Sequence, residues 1–187
     1  MKTALLIIDV QNDYFVGGKC ELVNPMEALA NIEHVLNYFR EKSQTIIHVQ
    51  HINDNNSITY FYPDTKGAEI HVKVKPIKGE YLVNKNDSNC FTSQKLKEII
   101  KNENITNLVI CGMMTHMCID TTVRASRYEG LKVTLVNDAC ATKDLEINSS
   151  VIPAKTVHEI FMAALNKRFA DIVDTAYINT DILKING

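Results

Sequence analysis

Cys118 lies just past Gly112, the residue that closes the apolar run Leu108-Val109-Ile110-Cys111, and opens a segment with helical spacing. A helix start presents unpaired backbone N–H groups and positive partial charge. Both lower a thiol pKa, and the thiolate is the nucleophilic form, so a depressed pKa is the first expectation here. A nucleophile also needs a base and a stabilising charge. Asp9 ends the apolar run Thr3-Ala4-Leu5-Leu6-Ile7-Ile8, and Lys85 follows Tyr81-Leu82-Val83-Asn84. An acid can take the thiol proton, and a cation beside both favours their charged forms. Backbone N–H groups of Met114 and Cys118 would face a tetrahedral oxyanion, which gives amide hydrolysis through a thioester. Each residue has an ordinary alternative: Asp9 a turn or helix cap, Lys85 a solvated loop lysine, Cys118 a small buried apolar side chain. Their joint placement is what singles them out.

The elements that would position them follow from periodicity. Buried strands are expected at Thr3 to Val10, Thr45 to Ile52, Tyr81 to Asn84, Asn107 to Cys111, Lys132 to Val136 and Ala170 to Val173. Helices are expected from Pro25 to about Lys42, Ser93 to Asn104, the Cys118 segment to about Glu129, and Pro153 to Arg168. Their alternation predicts an α/β fold: one domain over residues 1–187, with a parallel sheet between two helical layers. Asp9, His51, Lys85, the Gly112 to Cys118 stretch and Asp138 each follow a strand. Ligands of such sheets bind outside the carboxyl ends of the strands. Asp138 has a plain alternative as a turn residue. The long aperiodic stretch from Asn53 to Gly79 suits a lid or wall.

With 187 residues, 22% charged and a net charge of −2, the chain has room for a full core and no bulk basic footprint for nucleic acid. No apolar run matches a membrane span, and the N-terminus enters a strand directly, so the cytoplasm is the expected location. Five cysteines without a Cys-x-x-Cys pair argue against a disulfide framework or zinc knuckle. Cys111, inside a strand run, is expected to be structural.

Asp9 in Ile8-Asp9-Val10-Gln11-Asn12-Asp13-Tyr14-Phe15, Lys85 in Val83-Asn84-Lys85, and Gly112-Met113-Met114-Thr115-His116-Met117-Cys118 together resemble the isochorismatase-like cysteine hydrolases. Nicotinamidases, N-carbamoylsarcosine amidases and ureidoacrylate hydrolases belong to that superfamily. The likeness runs from Leu5 through Asp174. It implies a three-layer fold with a six-stranded parallel sheet in order 3-2-1-4-5-6 and the triad Asp9, Lys85 and Cys118. It also implies a cis peptide between Met113 and Met114, an oxyanion hole at Met114 and Cys118, and a homo-oligomer, dimer or tetramer.

The chain departs from the family pattern in two places. Nicotinamidases hold a metal with Asp-x-His after the second strand, whereas here those places carry His51 and Asn53. No metal and no cofactor is therefore expected, with His51 a neutral residue beside the pocket and His48 and His71 structural or exposed. Cys90 stands where serine is common and is expected to be passive, while Phe91 keeps a packing role. The pattern looks most like the metal-free members, among them streptothricin hydrolase, which opens a lactam. Phe15, His51, Phe61 and Thr115 are the candidate substrate contacts. Tyr60-Phe61-Tyr62 could equally form a cluster that pins the long loop, and Thr115 could cap the helix that follows it.

The leading expectation is a hydrolase of C–N bonds in small amides, lactams or carbamoyl compounds, with a small molecule as its partner. Isochorismatases proper cleave a vinyl ether without needing the cysteine, and that activity is the first alternative. A non-catalytic small-molecule binder with the same crevice is the second. A dinucleotide-binding domain is disfavoured, because no Gly-x-Gly-x-x-Gly loop follows the first strand.

Overall fold

The computed structural model describes residues 2–53 and 58–178. Strand β1 (Thr3–Ile8) leads through a 3-10 turn at Asn12–Tyr14 to α1 (Pro25–Glu41) and β2 (Thr45–His51). A long connection precedes β3 (Tyr81–Lys85), followed by α2 (Gln94–Asn102) and β4 (Asn107–Met113). A wide π-type turn, Thr115–Ile119, opens α3 (Asp120–Tyr128), and β5 (Lys132–Ala141) follows. A hairpin of β6 (Leu145–Ile147) and β7 (Ser150–Ile152), then α4 (Ala154–Leu165), β8 (Asp171–Val173) and the short α5 (Thr175–Ile178) complete the described chain.

Six strands form one parallel sheet in the order β3-β2-β1-β4-β5-β8. This is the expected topology; the sixth strand of the sheet is the eighth of the chain because a separate hairpin intervenes. The hairpin's Leu145-Glu146-Ile147 and Ser150-Val151-Ile152 are too short for a clear period, so sequence reasoning passed over them.

The apolar runs are continuous because both sheet faces are covered. Along β1, Leu5 and Ile7 join the core packed on α1, while Ala4, Leu6 and Ile8 join the opposite core under α2, α3 and α4. On α1, Leu29, Ile32, Val35, Leu36 and Phe39 recur at helical spacing and are buried in the first core. Among the described residues no helix is long and apolar enough to cross a membrane.

Strand β5 runs past its expected end at Val136. Its register against β4 shifts between Ile110 and Gly112, so Gly112 pairs with Cys140. Asp138 therefore lies within an irregular strand and not at its end. Its Oδ1 accepts hydrogen bonds from the Thr175 N–H (2.8 Å) and hydroxyl (2.7 Å), which ties down the start of α5.

The strand order reverses between β1 and β4. They pair directly, with Ile8 opposite Gly112. Gly112 has φ +128°, and a Cβ there would lie 2.1 Å from the Ile8 carbonyl oxygen, so only glycine lets β4 pass this close to β1. The crevice at this reversal is where the polar strand ends gather.

Candidate active site

The ends of three neighbouring strands bring the polar groups together. Lys85 ends β3 and pairs in register with His51, which ends β2; Asp9 follows β1 directly. Asp9 has a positive φ of 54°, a conformation that Asp tolerates better than most residues and that marks this strand end as strained. From β3, Lys85 reaches across β2 to Asp9, with Nζ 2.7 Å from Oδ2. The same nitrogen lies 2.8 Å from His51 Nδ1 and 3.3 Å from Cys118 Sγ. Asp9 is fully buried, Lys85 is 5% exposed and Cys118 4%. The structure thus joins Asp9, Lys85, Cys118 and His51 in one closed cluster.

Burial works against the Lys85 charge, but Asp9 first and then Cys118 outweigh it and hold the ammonium above the usual lysine range. The thiol departs from the sequence expectation. Burial, reinforced by the Asp9 charge, raises the Cys118 pKa well above its ordinary value, and Lys85 only partly offsets this. The physical reason is depth: the helix-start effect presumes a partly exposed thiol, and this one is closed off beside a carboxylate. The turn is also unlike a regular first helical turn, since the Met114 carbonyl accepts the N–H of Met117 (3.1 Å) and of Ile119 (3.2 Å). Burial and the Asp9 charge both favour the protonated thiol. Among the described residues Asp9 Oδ1 is buried without a side-chain or backbone hydrogen bond of ordinary geometry.

Met113 and Met114 are joined by a cis peptide bond. Thr115 is fully buried, and its hydroxyl lies 3.3 Å from the Ala141 carbonyl oxygen and 3.0 Å from His158 Nδ1. It is turned toward β5 and α4, which is not the capping alternative; the cap position is Met114, without a side-chain bond.

Phe15 is buried with its ring 4.5 Å from that of His71, while Phe61 packs between Tyr14 (4.6 Å) and Tyr60 (5.1 Å) with the His51 ring at 5.9 Å. The aromatic residues of the long loop thus pin it to the strand ends. Positions 54–57 of that loop lie outside the described residues.

Two polar residues complete the pinning. Gln11 donates to the carbonyls of His51 (2.8 Å) and Ala68 (2.7 Å) and accepts the His51 N–H (2.8 Å). Asp13 accepts the Phe61 N–H at 2.7 Å and sits so close to Gly67 that a Cβ there would meet its carboxylate at 2.2 Å. In the sequence both stand in Asp9-Val10-Gln11-Asn12-Asp13, where no period or motif assigns them a task. A run this polar directly after a buried strand is the signal that could have found them. Tyr14, which the sequence did not single out, also neighbours the site: burial first, and then Cys118 and Asp9, raise its phenol, while the Tyr60 phenol is raised first by burial and then by Cys20, Cys118 and Asp9.

His48 is buried with Nε2 2.8 Å from Glu80 Oε2, and His71 Nδ1 accepts the Lys73 N–H at 3.3 Å, so both serve local structure. Cys90 is buried and its thiol pushed up to about 12, chiefly by burial. Phe91 packs in the core beneath α2. Among the described residues, Asp9, His51 and Cys118 form a group whose ligand-type atoms lie within 4.8 Å of one another. The Lys85 ammonium stands within hydrogen-bond distance of Asp9, His51 and Cys118, so a cation already fills the position a metal would need.

A buried cysteine, acid and lysine at the reversal of a parallel α/β sheet define a class of crevice enzymes. The sequence matches the isochorismatase domain over residues 3–177, and the chain belongs to that family of hydrolases. It is 45% identical over 175 residues to the isochorismatase family protein YddQ of Bacillus subtilis, covering 94% of this chain and 97% of that one. It is 29% identical to a streptothricin hydrolase of Streptomyces noursei, over 90% of this chain and 63% of that one. Among solved structures, an isochorismatase hydrolase of Oleispira antarctica superposes with a TM-score of 0.91 at 38% identity, covering 96% of both chains.

Proposed function

We propose that this hydrolase cleaves a C–N bond of a small amide, lactam or carbamoyl compound through a thioester on Cys118, without a redox cofactor or essential metal. The observation that carries the reading is the buried Lys85 ammonium held 2.7 Å from Asp9 and 3.3 Å from Cys118. The 29% identity to a streptothricin hydrolase adds support for cleavage of this bond type.

Asp9 is the base. Its carboxylate takes the Cys118 proton as the sulfur adds to the substrate carbonyl carbon. The raised thiol pKa favours a transfer that accompanies attack on the substrate. Negative charge moves from Asp9 to the sulfur and then to the carbonyl oxygen. Lys85 stays beside the first two, and the N–H groups of Met114 and Cys118 receive the third, each such donor contributing roughly 3 kcal/mol. Collapse of the tetrahedral intermediate breaks the C–N bond, and protonated Asp9 supplies the proton that the departing amine needs. Water, giving a proton back to Asp9, then opens the thioester, and the acid leaves as the thiol reforms.

A panel of small primary amides, lactams and carbamoyl compounds tests the reading, with release of ammonia or a new amine as readout. Turnover is expected in the native chain and lost in Cys118→Ala. Turnover that survives in Cys118→Ala refutes the assignment.

A further inference from the structure

The contact between Lys85 and His51 has a definite chemical sense. A lysine ammonium carries only donors, so His51 Nδ1, 2.8 Å away, must accept and carries no proton. The ring proton is then on Nε2, which donates to Asn53 Oδ1 at 2.8 Å. The Asn53 amide is itself oriented, because its Nδ2 donates to the Tyr60 carbonyl at 2.9 Å, and its backbone N–H donates to the Phe61 carbonyl at 2.9 Å. Asn53 is buried, so this chain is sheltered from water.

An ammonium has three N–H bonds, and among the described residues the partners of Lys85 Nζ are Asp9 Oδ2, Cys118 Sγ and His51 Nδ1. Without His51 the third N–H would turn in search of an acceptor. A carboxylate in its place would draw charge away from the other two partners. A neutral imidazole anchors the ammonium without competing for its charge. We infer that His51, locked in one tautomer by Asn53, is a positioning residue that holds the Lys85 ammonium between Asp9 and Cys118.

The electrostatic surroundings agree. Burial and Lys85 lower the His51 pKa, outweighing Asp9 from the end of β1, the Asn53 hydrogen bond and Asp87 just past β3, which favours the neutral ring. The consequence for turnover rests on the assignment of Cys118 as the nucleophile.

The test reads the thiol directly. Iodoacetamide alkylation of Cys118 is followed by intact mass and peptide mapping as a function of pH, in the native protein, His51→Leu, His51→Gln, Lys85→Met and the His51→Leu/Lys85→Met double variant. Loosening the cation is expected to slow His51→Leu roughly tenfold near neutral pH and move its profile upward. His51→Gln keeps an amide oxygen as acceptor and is expected to recover most of that loss. With lysine gone, His51→Leu should add nothing. An unchanged rate and profile in His51→Leu overturns the inference, as does a loss that adds fully to that of Lys85→Met. Failure of the nucleophile assignment would show separately, as amide turnover that persists in Cys118→Ala.

Discussion

Cys111 and Cys118 flank the same glycine, one within β4 and the other in the turn that follows. Both are buried, and in both burial is the first cause of a raised pKa. Around Cys111 the further influence is another buried thiol, Cys140, whereas around Cys118 it is the Asp9 carboxylate and the Lys85 ammonium. Depth alone makes a cysteine inert; what separates the proposed nucleophile from the structural cysteine is a proton acceptor and a cation buried with it. On one side of Gly112 the chain supplies packing, and on the other it supplies the thiol of the Asp9–Lys85 cluster.

The widest divergence between the two positions is in turnover. Cys118→Ser is expected to lose roughly three orders of magnitude or more in kcat on the best amide of the panel. Cys111→Ala is expected to lower stability and leave kcat per folded molecule within about twofold. The junction itself is tested by Gly112→Ala. A Cβ 2.1 Å from the Ile8 carbonyl oxygen, at φ +128°, should cost about 4 kcal/mol or more in urea unfolding, or prevent folding.

Next is the buried ion pair. Lys85→Met leaves Asp9 charged and unpaired, and a loss of about 3–5 kcal/mol in unfolding free energy is expected. Adding Asp9→Asn should recover much of it, with kcat still lost. No such recovery would show that the pair does not act as a unit. Smallest is the response to acid. His48, His51 and His158 are all held below the ordinary histidine pKa, in each case first by burial. The folded chain therefore binds fewer protons than the unfolded one between those lowered values and about 6.5, so stability should fall as the pH drops below about 6.5. Urea midpoints on either side of that value check the sign; a midpoint that rises on acidification would contradict it.

The sheet was legible because its signal is local. Continuous apolar runs such as Leu5-Leu6-Ile7-Ile8 report burial on both faces, and their spacing reports the helices between them. Asp9 and Lys85 were legible for the same reason, each standing at the end of a strand run, and Cys118 by its place in the segment that opens after Gly112. What was not legible depends on distance. The register shift that carries β5 on to Ala141, and places Asp138 against Thr175, is set by pairing with β4. The tasks of Gln11 and Asp13 depend on a loop about fifty residues away folding back over them. The raised pKa of Cys118 follows from closure of the cluster, which a helix-start rule cannot sense.

The most direct measurement is rapid acid quenching of the enzyme during turnover of a hydrolysable small amide, followed by peptide mass spectrometry. The peptide containing Cys118 should carry the acyl mass of the substrate, and that mass should be absent from the peptides bearing Cys20, Cys90, Cys111 and Cys140. An unmodified Cys118 under conditions where the deacylation step is rate-limiting, together with turnover retained in Cys118→Ala, would contradict covalent catalysis at this site.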